Sequence, residues 1–270
     1  MKNKIYVLDC GTMGADKNMT LMGGVIGTAD NKKIENVWVE FPLQAFLIET
    51  ENDGYILFDT GANPRVAEPG YWPASTLEVW PTTVSEEQHL ENQLAKCGVK
   101  PEDIKTVVIS HCHQDHMGNI GLFKHADVYV PKKEFMNGLT MVHLTDDPNT
   151  YGPYIQPELD TRVKQYHLIE EDFELAPGIE VIMIPGHTLD QLGLVVKSDN
   201  GNYVIPADAL YGPANYGPPA QLSCCFCDSV AFINSIEKIR KIVDKLNAKI
   251  FWSHDGETFK DTKKAPEFYD

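Results

Sequence analysis

The chain has 270 residues, 43% hydrophobic and 23% charged, a balance that excludes a disordered or fibrous protein. A formal net charge of -16 argues against nucleic acid or an anionic membrane as partner, because both would repel most of the surface, and leaves small molecules. Six cysteines without regular spacing, and an apolar N-terminal run of only Ile5, Tyr6, Val7 and Leu8, are expected of a reduced, cytoplasmic protein with no signal segment or membrane span.

Met13, Met19, Leu21 and Met22 form the first apolar stretch of note, suited either to core packing or to lining an acyl-chain pocket. Two β-type runs between Phe46 and Phe58 flank Asn52-Asp53-Gly54, a turn sequence that predicts a hairpin, and Asp59-Thr60-Gly61 follows at once. Residues 85–97 predict one helix, with Ser85 and Gln88 at capping-box positions and Gly98 closing the end. Stretches 147–157 and 212–219, rich in Pro and Gly, read as surface loops. In the first, Tyr151 and Tyr154 suit either a lip over the site or anchors of an exposed loop. Val230, Ile233, Ile236, Ile239, Val243 and Leu246 recur at three- and four-residue intervals and predict an amphipathic helix packed on a sheet.

Four short apolar runs share one property. Residues 106–109 lead into His111, 181–184 into His187, 203–205 into Asp208 and 250–252 into His254. Parallel or mixed strands bring such ends together on one rim of a layered sheet protein.

The densest cluster is His111-Cys112-His113-Gln114-Asp115-His116, three imidazoles and a carboxylate in six residues. Imidazole nitrogen and carboxylate oxygen suit zinc, iron, manganese or cobalt. In an extended segment His111 and His113 point the same way and can chelate one ion, while Asp115 and His116, past a bend, face a second. The remote strand ends complete the set: His187 for the first ion, His254 for the second, Asp208 between them. A closed structural zinc site is disfavoured, because such sites prefer cysteine. Cys224, Cys225 and Cys227 cannot by themselves close a tetrahedral site and read as reduced thiols of undetermined function. Cys112 alternates away from its neighbours and is expected to be buried. His89, His125, His143 and His167 have no ligand-like partners and read as surface or capping residues.

With these residues in view, the chain resembles the metallo-β-lactamase superfamily, whose His-x-His-x-Asp-His run and distant His, Asp and His ligands it carries in full. Within it the sequence is most similar to the N-acyl homoserine lactonases, through Asp208-Ala209-Leu210-Tyr211, Ser253-His254-Asp255 and Ala265-Pro266-Glu267-Phe268-Tyr269. The resemblance implies an α/β fold, an αββα sandwich of two mixed β-sheets flanked by helices, here one domain over 1–270. It implies a dinuclear centre, zinc above all, and a lactone opened by a hydroxide held between two ions. Tyr211 would then hydrogen-bond the substrate, Asp115 would carry a proton besides ligating, and Asp59 would stand behind the ligands. The chain departs from the lactonases at Gln114, where an aromatic or apolar residue is common, and in 185–190, which lacks a second Gly-His step. The alternatives within the superfamily are a hydrolase of another lactone, ester or thioester, and an iron-dependent redox member.

Overall fold

The computed structural model describes residues 2–270, which form two β-sheets packed face to face. One sheet contains β1 (Lys4–Asp16), β2 (Trp38–Glu49), β3 (Tyr55–Phe58), β4 (Thr82–Thr83), β5 (Thr106–Val108), β6 (Asp127–Pro131) and β7 (Gln165–Ile169) in the order β4-β1-β2-β3-β5-β6-β7. The other contains β8 (Phe173–Ala176), β9 (Ile179–Met183), β10 (Leu192–Lys197), β11 (Asn202–Ile205) and β12 (Lys249–Ile250) in the order β12-β11-β10-β9-β8. Both are mixed: β1 to β3 run antiparallel and β3, β5, β6 and β7 parallel, while β8 to β11 run antiparallel and β12 joins β11 in parallel.

Strand alternation makes the three-layer core. Ile5, Val7, Ile48 and Phe58 of one sheet meet Val181, Leu194 and Ile205 of the other in a shared apolar layer. The opposite face of the larger sheet, with Leu8, Leu47 and Val107, packs on Leu90 and Leu94 of helix Leu90–Lys96 and Phe135 of helix Lys132–Leu144. The outer face of the smaller sheet, with Ile182, Val195 and Val204, takes the helix Ser229–Leu246. This is the αββα sandwich the resemblance implied. No helix among the described residues is long and apolar enough to cross a membrane.

The hairpin forms as read, with Phe46 opposite Phe58 and Gly54 at φ 76° in the turn. Two local expectations need correction. Residues 85–97 are not one helix: a 3₁₀ turn, Glu86–Gln88, and the α-helix Leu90–Lys96 are separated by His89 in extended conformation. Asp9 of β1 accounts for the break, since its carboxylate takes the Gln88 side chain at 2.9 Å and its amide donates to Gln93 at 3.1 Å. In the helix Ser229–Leu246 the buried stripe starts at Phe232 and continues through Ile236 and Ile239, leaving Val230 69% exposed. Tyr151 and Tyr154 belong to no exposed loop; both are buried, and both line the cavity described below.

Candidate metal centre

The strand ends gather on one rim. β9, β11 and β12 point their C-terminal ends the same way, and the Leu192 amide at the start of β10 donates to the Ser110 carbonyl after β5 at 2.8 Å, joining the sheets there. His111, His113, Asp115, His116, His187, Asp208 and His254 converge at that junction. Three groups have donor atoms within 4.8 Å of one another: His111 with His113 and His187, Asp115 with His116 and His254, and His111 with His116 and Asp208.

Asp208 spans the two halves. Its Oδ2 lies 3.5 Å from His187 Nε2 and 3.9 Å from His111 Nε2, while its Oδ1 lies 3.3 Å from His116 Nε2 and 3.1 Å from His254 Nε2. Asp115 Oδ2 is 3.5 Å from His116 Nε2 and 3.6 Å from His254 Nε2, and His187 Nε2 is 3.1 Å from His113 Nδ1. Ligands about 2.0–2.1 Å from a tetrahedral ion stand about 3.3–3.4 Å from each other, and all of these separations except the 3.9 Å to His111 fall between 3.1 and 3.6 Å.

The tautomers fit the same purpose. His116 Nδ1 faces Asp59 Oδ2 at 2.9 Å, His187 Nδ1 faces the Cys225 carbonyl at 2.7 Å, and His254 Nδ1 faces the Pro42 carbonyl at 3.0 Å. His111 Nδ1 reaches the Ser110 hydroxyl at 2.9 Å, which itself donates to Asp59 at 2.7 Å. Each of these rings thus keeps a proton on its anchored Nδ1 and turns a bare Nε2 inward. His111 Nε2, His116 Nε2 and Asp208 Oδ1 are buried without an aligned hydrogen bond, an arrangement that a cation would satisfy. The donor set and its orphaned atoms fit divalent metal ions.

The electrostatics divide the ligands. Burial, followed by neighbouring imidazoles, holds His111 and His113 well below the usual histidine range, and burial also lowers His187, so these rings are neutral donors. Burial pushes His116 and His254 the same way, but Asp208 and Asp115, with Asp59 beside His116, outweigh it and raise both. Asp208 is held well below its ordinary value: burial opposes this, and His254 and His116 overcome it. A cation would take the place of those imidazole protons.

Beside the cluster a cavity of about 590 Å³ opens, walled by Met13, Phe41, Trp80, Met141, Leu189 and Phe226. The Tyr211 ring stands 4.9 Å from that of His254 and 6.0 Å from that of His187. Burial first, then the Asp208 charge, keeps its phenol well above the ordinary tyrosine value, hence protonated.

Residues 39–254 match the family model of the metallo-beta-lactamase superfamily. The chain belongs to this superfamily. Among curated members, it is 29% identical to the N-acyl homoserine lactonase AiiB of Agrobacterium fabrum over 280 residues, covering all of both chains. It is 28% identical to the N-acyl homoserine lactonase AiiA of Bacillus thuringiensis subsp. kurstaki, over 85% of this chain and 88% of that one. A solved N-acyl homoserine lactone hydrolase with N-hexanoyl-L-homoserine at its catalytic metal centre superposes with a TM-score of 0.84, covering both chains fully at 23% identity, a likeness of fold.

Against the superfamily motif, all seven residues predicted from sequence come together, and Tyr211 joins them. Of the apolar stretch, Met13 lines the cavity and half-buried Met19 packs against the core beside it, whereas Met22 is exposed. His125 bonds the Ile104 carbonyl, His143 pairs with Asp160 and His167 with Asp127, all away from the centre. Cys112 is buried as expected, and all six cysteines are free. Two contributions escaped sequence reading. The backbone of Cys225 orients His187, which no side-chain pattern announces, and Glu134 lines the cavity from the first turn of a helix where a surface acid is ordinary.

Proposed function

We propose that the chain hydrolyses the ring ester of a lactone, and that its substrate is an N-acyl homoserine lactone. The observation that carries this reading is Asp208, reaching with one oxygen toward each histidine set, beside the protonated hydroxyl of Tyr211. The named activity of the relatives at 28–29% identity supports it.

His111, His113 and His187 would hold one ion, Asp115, His116 and His254 the other, with Asp208 shared; neutral nitrogens and two carboxylates suit zinc. Two bound divalent cations supply Lewis acidity toward the ester carbonyl and a water acidic enough to ionise near neutral pH. Tyr211 donates a hydrogen bond to the carbonyl oxygen as charge grows on it. The Asp115 carboxylate carries the proton from the attacking water to the departing ring oxygen. The apolar wall takes the acyl chain, and the cavity volume falls within the range of small-molecule sites. We take residues 1–270 as one domain, since both sheets share one apolar layer, and free cysteines suit a cytoplasmic setting.

A substrate panel on metal-loaded protein tests the reading. Acid release from homoserine lactones, with no turnover of nitrocefin or a glutathione thioester, is the expected result; the reverse preference would overturn it.

A further inference from the structure

The cavity wall also carries a buried acid for which the proposed reaction has no use. Glu134, 1% exposed, lines the same cavity as His113 and Asp208. Its Oε1 accepts the Tyr154 hydroxyl at 3.0 Å and, more loosely, the Cys112 amide at 3.4 Å. No donor among the described residues reaches Oε2, which is not among the polar atoms sealed inside the protein. Asn137, one turn along the helix and also in the cavity wall, donates to the Tyr154 hydroxyl at 3.1 Å, so Tyr154 is fixed from both sides.

The position is close to the chemistry. Cys112 lies between His111 and His113, and the Tyr154 ring stands 5.8 Å from that of His113. The titratable groups facing Glu134 are Tyr154, Cys112, Cys227 and Asp190, and the nearby cation, Lys133, is paired with Asp190 at 3.3 Å. A carboxyl in such a place is an acceptor in want of a donor, and leaving it unpaired is costly.

We infer that Glu134 selects the substrate: its Oε2 accepts the amide N–H that an N-acylated amino-lactone carries beside its ring, favouring such lactones over those with a plain hydrocarbon tail. The inference rests on the lactone reading above and adds a specificity residue to it. Burial, the main influence, raises the Glu134 carboxyl to about 7, so an arriving N–H also stabilises its ionised form.

The test compares kcat and KM of the metal-loaded parent, Glu134→Gln and Glu134→Met on N-hexanoyl homoserine lactone and its N-methyl counterpart, which lacks the N–H. The parent is expected to favour the N–H substrate by about ten- to a hundredfold in kcat/KM, mostly through KM. Glu134→Gln, which keeps an acceptor oxygen, retains part of that ratio, and Glu134→Met brings it to within a few-fold of unity. A ratio in Glu134→Met equal to the parent's overturns the inference. Should that variant fail to fold, a parental ratio with a parental KM in Glu134→Gln overturns it equally. Turnover of alkyl γ-lactones but of neither acylated substrate would sink the inference while sparing lactone hydrolysis. No lactone turnover by the parent would remove both.

Discussion

Around the centre, small anchoring bonds decide what each side chain can do. Asp59 fixes the proton on His116 Nδ1 and, through Ser110, on His111 Nδ1, so that both rings present Nε2 to an ion. Tyr211 is committed to donating by burial and by the Asp208 charge. Removing its hydroxyl in Tyr211→Phe should lower kcat by roughly a hundredfold, about 3 kcal/mol in the transition state, with little change in metal content. Steady-state kinetics check this, and an undiminished kcat would remove Tyr211 from the mechanism. Glu134 makes a pH-dependent prediction. Its carboxyl moves from 4.5 to about 7 on folding, so the native state binds that proton more tightly and loses about 3 kcal/mol as pH rises between those values. Glu134→Gln lacks this loss. Denaturant melts should find parent and variant similar near about pH 5 and the variant the more stable near about pH 8.

The elements matter chiefly for where they stop. β5, β9, β11 and β12 end three or four residues before His111, His187, Asp208 and His254, and this much was legible, because short apolar runs and the residues after them are local features of sequence. The His187 turn depends on a closer fit. Gly186 has φ 134°, its carbonyl accepts the amides of Cys227 and Asp228, and a Cβ there would stand 2.3 Å from the Phe232 backbone. Gly186→Ala should therefore cost about 2 kcal/mol or more and displace His187, which thermal melts and metal content of the variant would reveal. Other elements were not legible, for reasons of the same kind. A helix over 85–97 satisfied every local rule, but bonds from Gln88 and Gln93 to Asp9, far away in sequence, break it at His89. The stripe on Ser229–Leu246 was placed correctly from Ile236 onward. Its first turns were misread, since apolar Val230 and Ile233 stand on the solvent side of Phe232. For Tyr151 and Tyr154 the sequence left a lip over the site and an exposed loop equally open, because nothing in their own stretch encodes the helix Lys132–Leu144 against which they are buried in the cavity wall.

Two sheets sharing one apolar layer hold seven side chains that could ligate metal, from distant parts of the chain, at a single rim. That these seven come together could be read in advance because their residue types are rare together. Of the cavity, Met13, Tyr151 and Tyr154 could be offered in advance but the rest could not, because its wall is assembled from segments with no common pattern, among them Trp80, Glu134 and Phe226. The most direct test of the account is a titration of chelator-stripped protein with zinc, following ions bound per chain together with hydrolysis of N-hexanoyl homoserine lactone. The account predicts two ions per chain, protons released as they bind, and activity that returns in full only with the second. Full activity in the stripped protein, or a plateau at one ion, would contradict it.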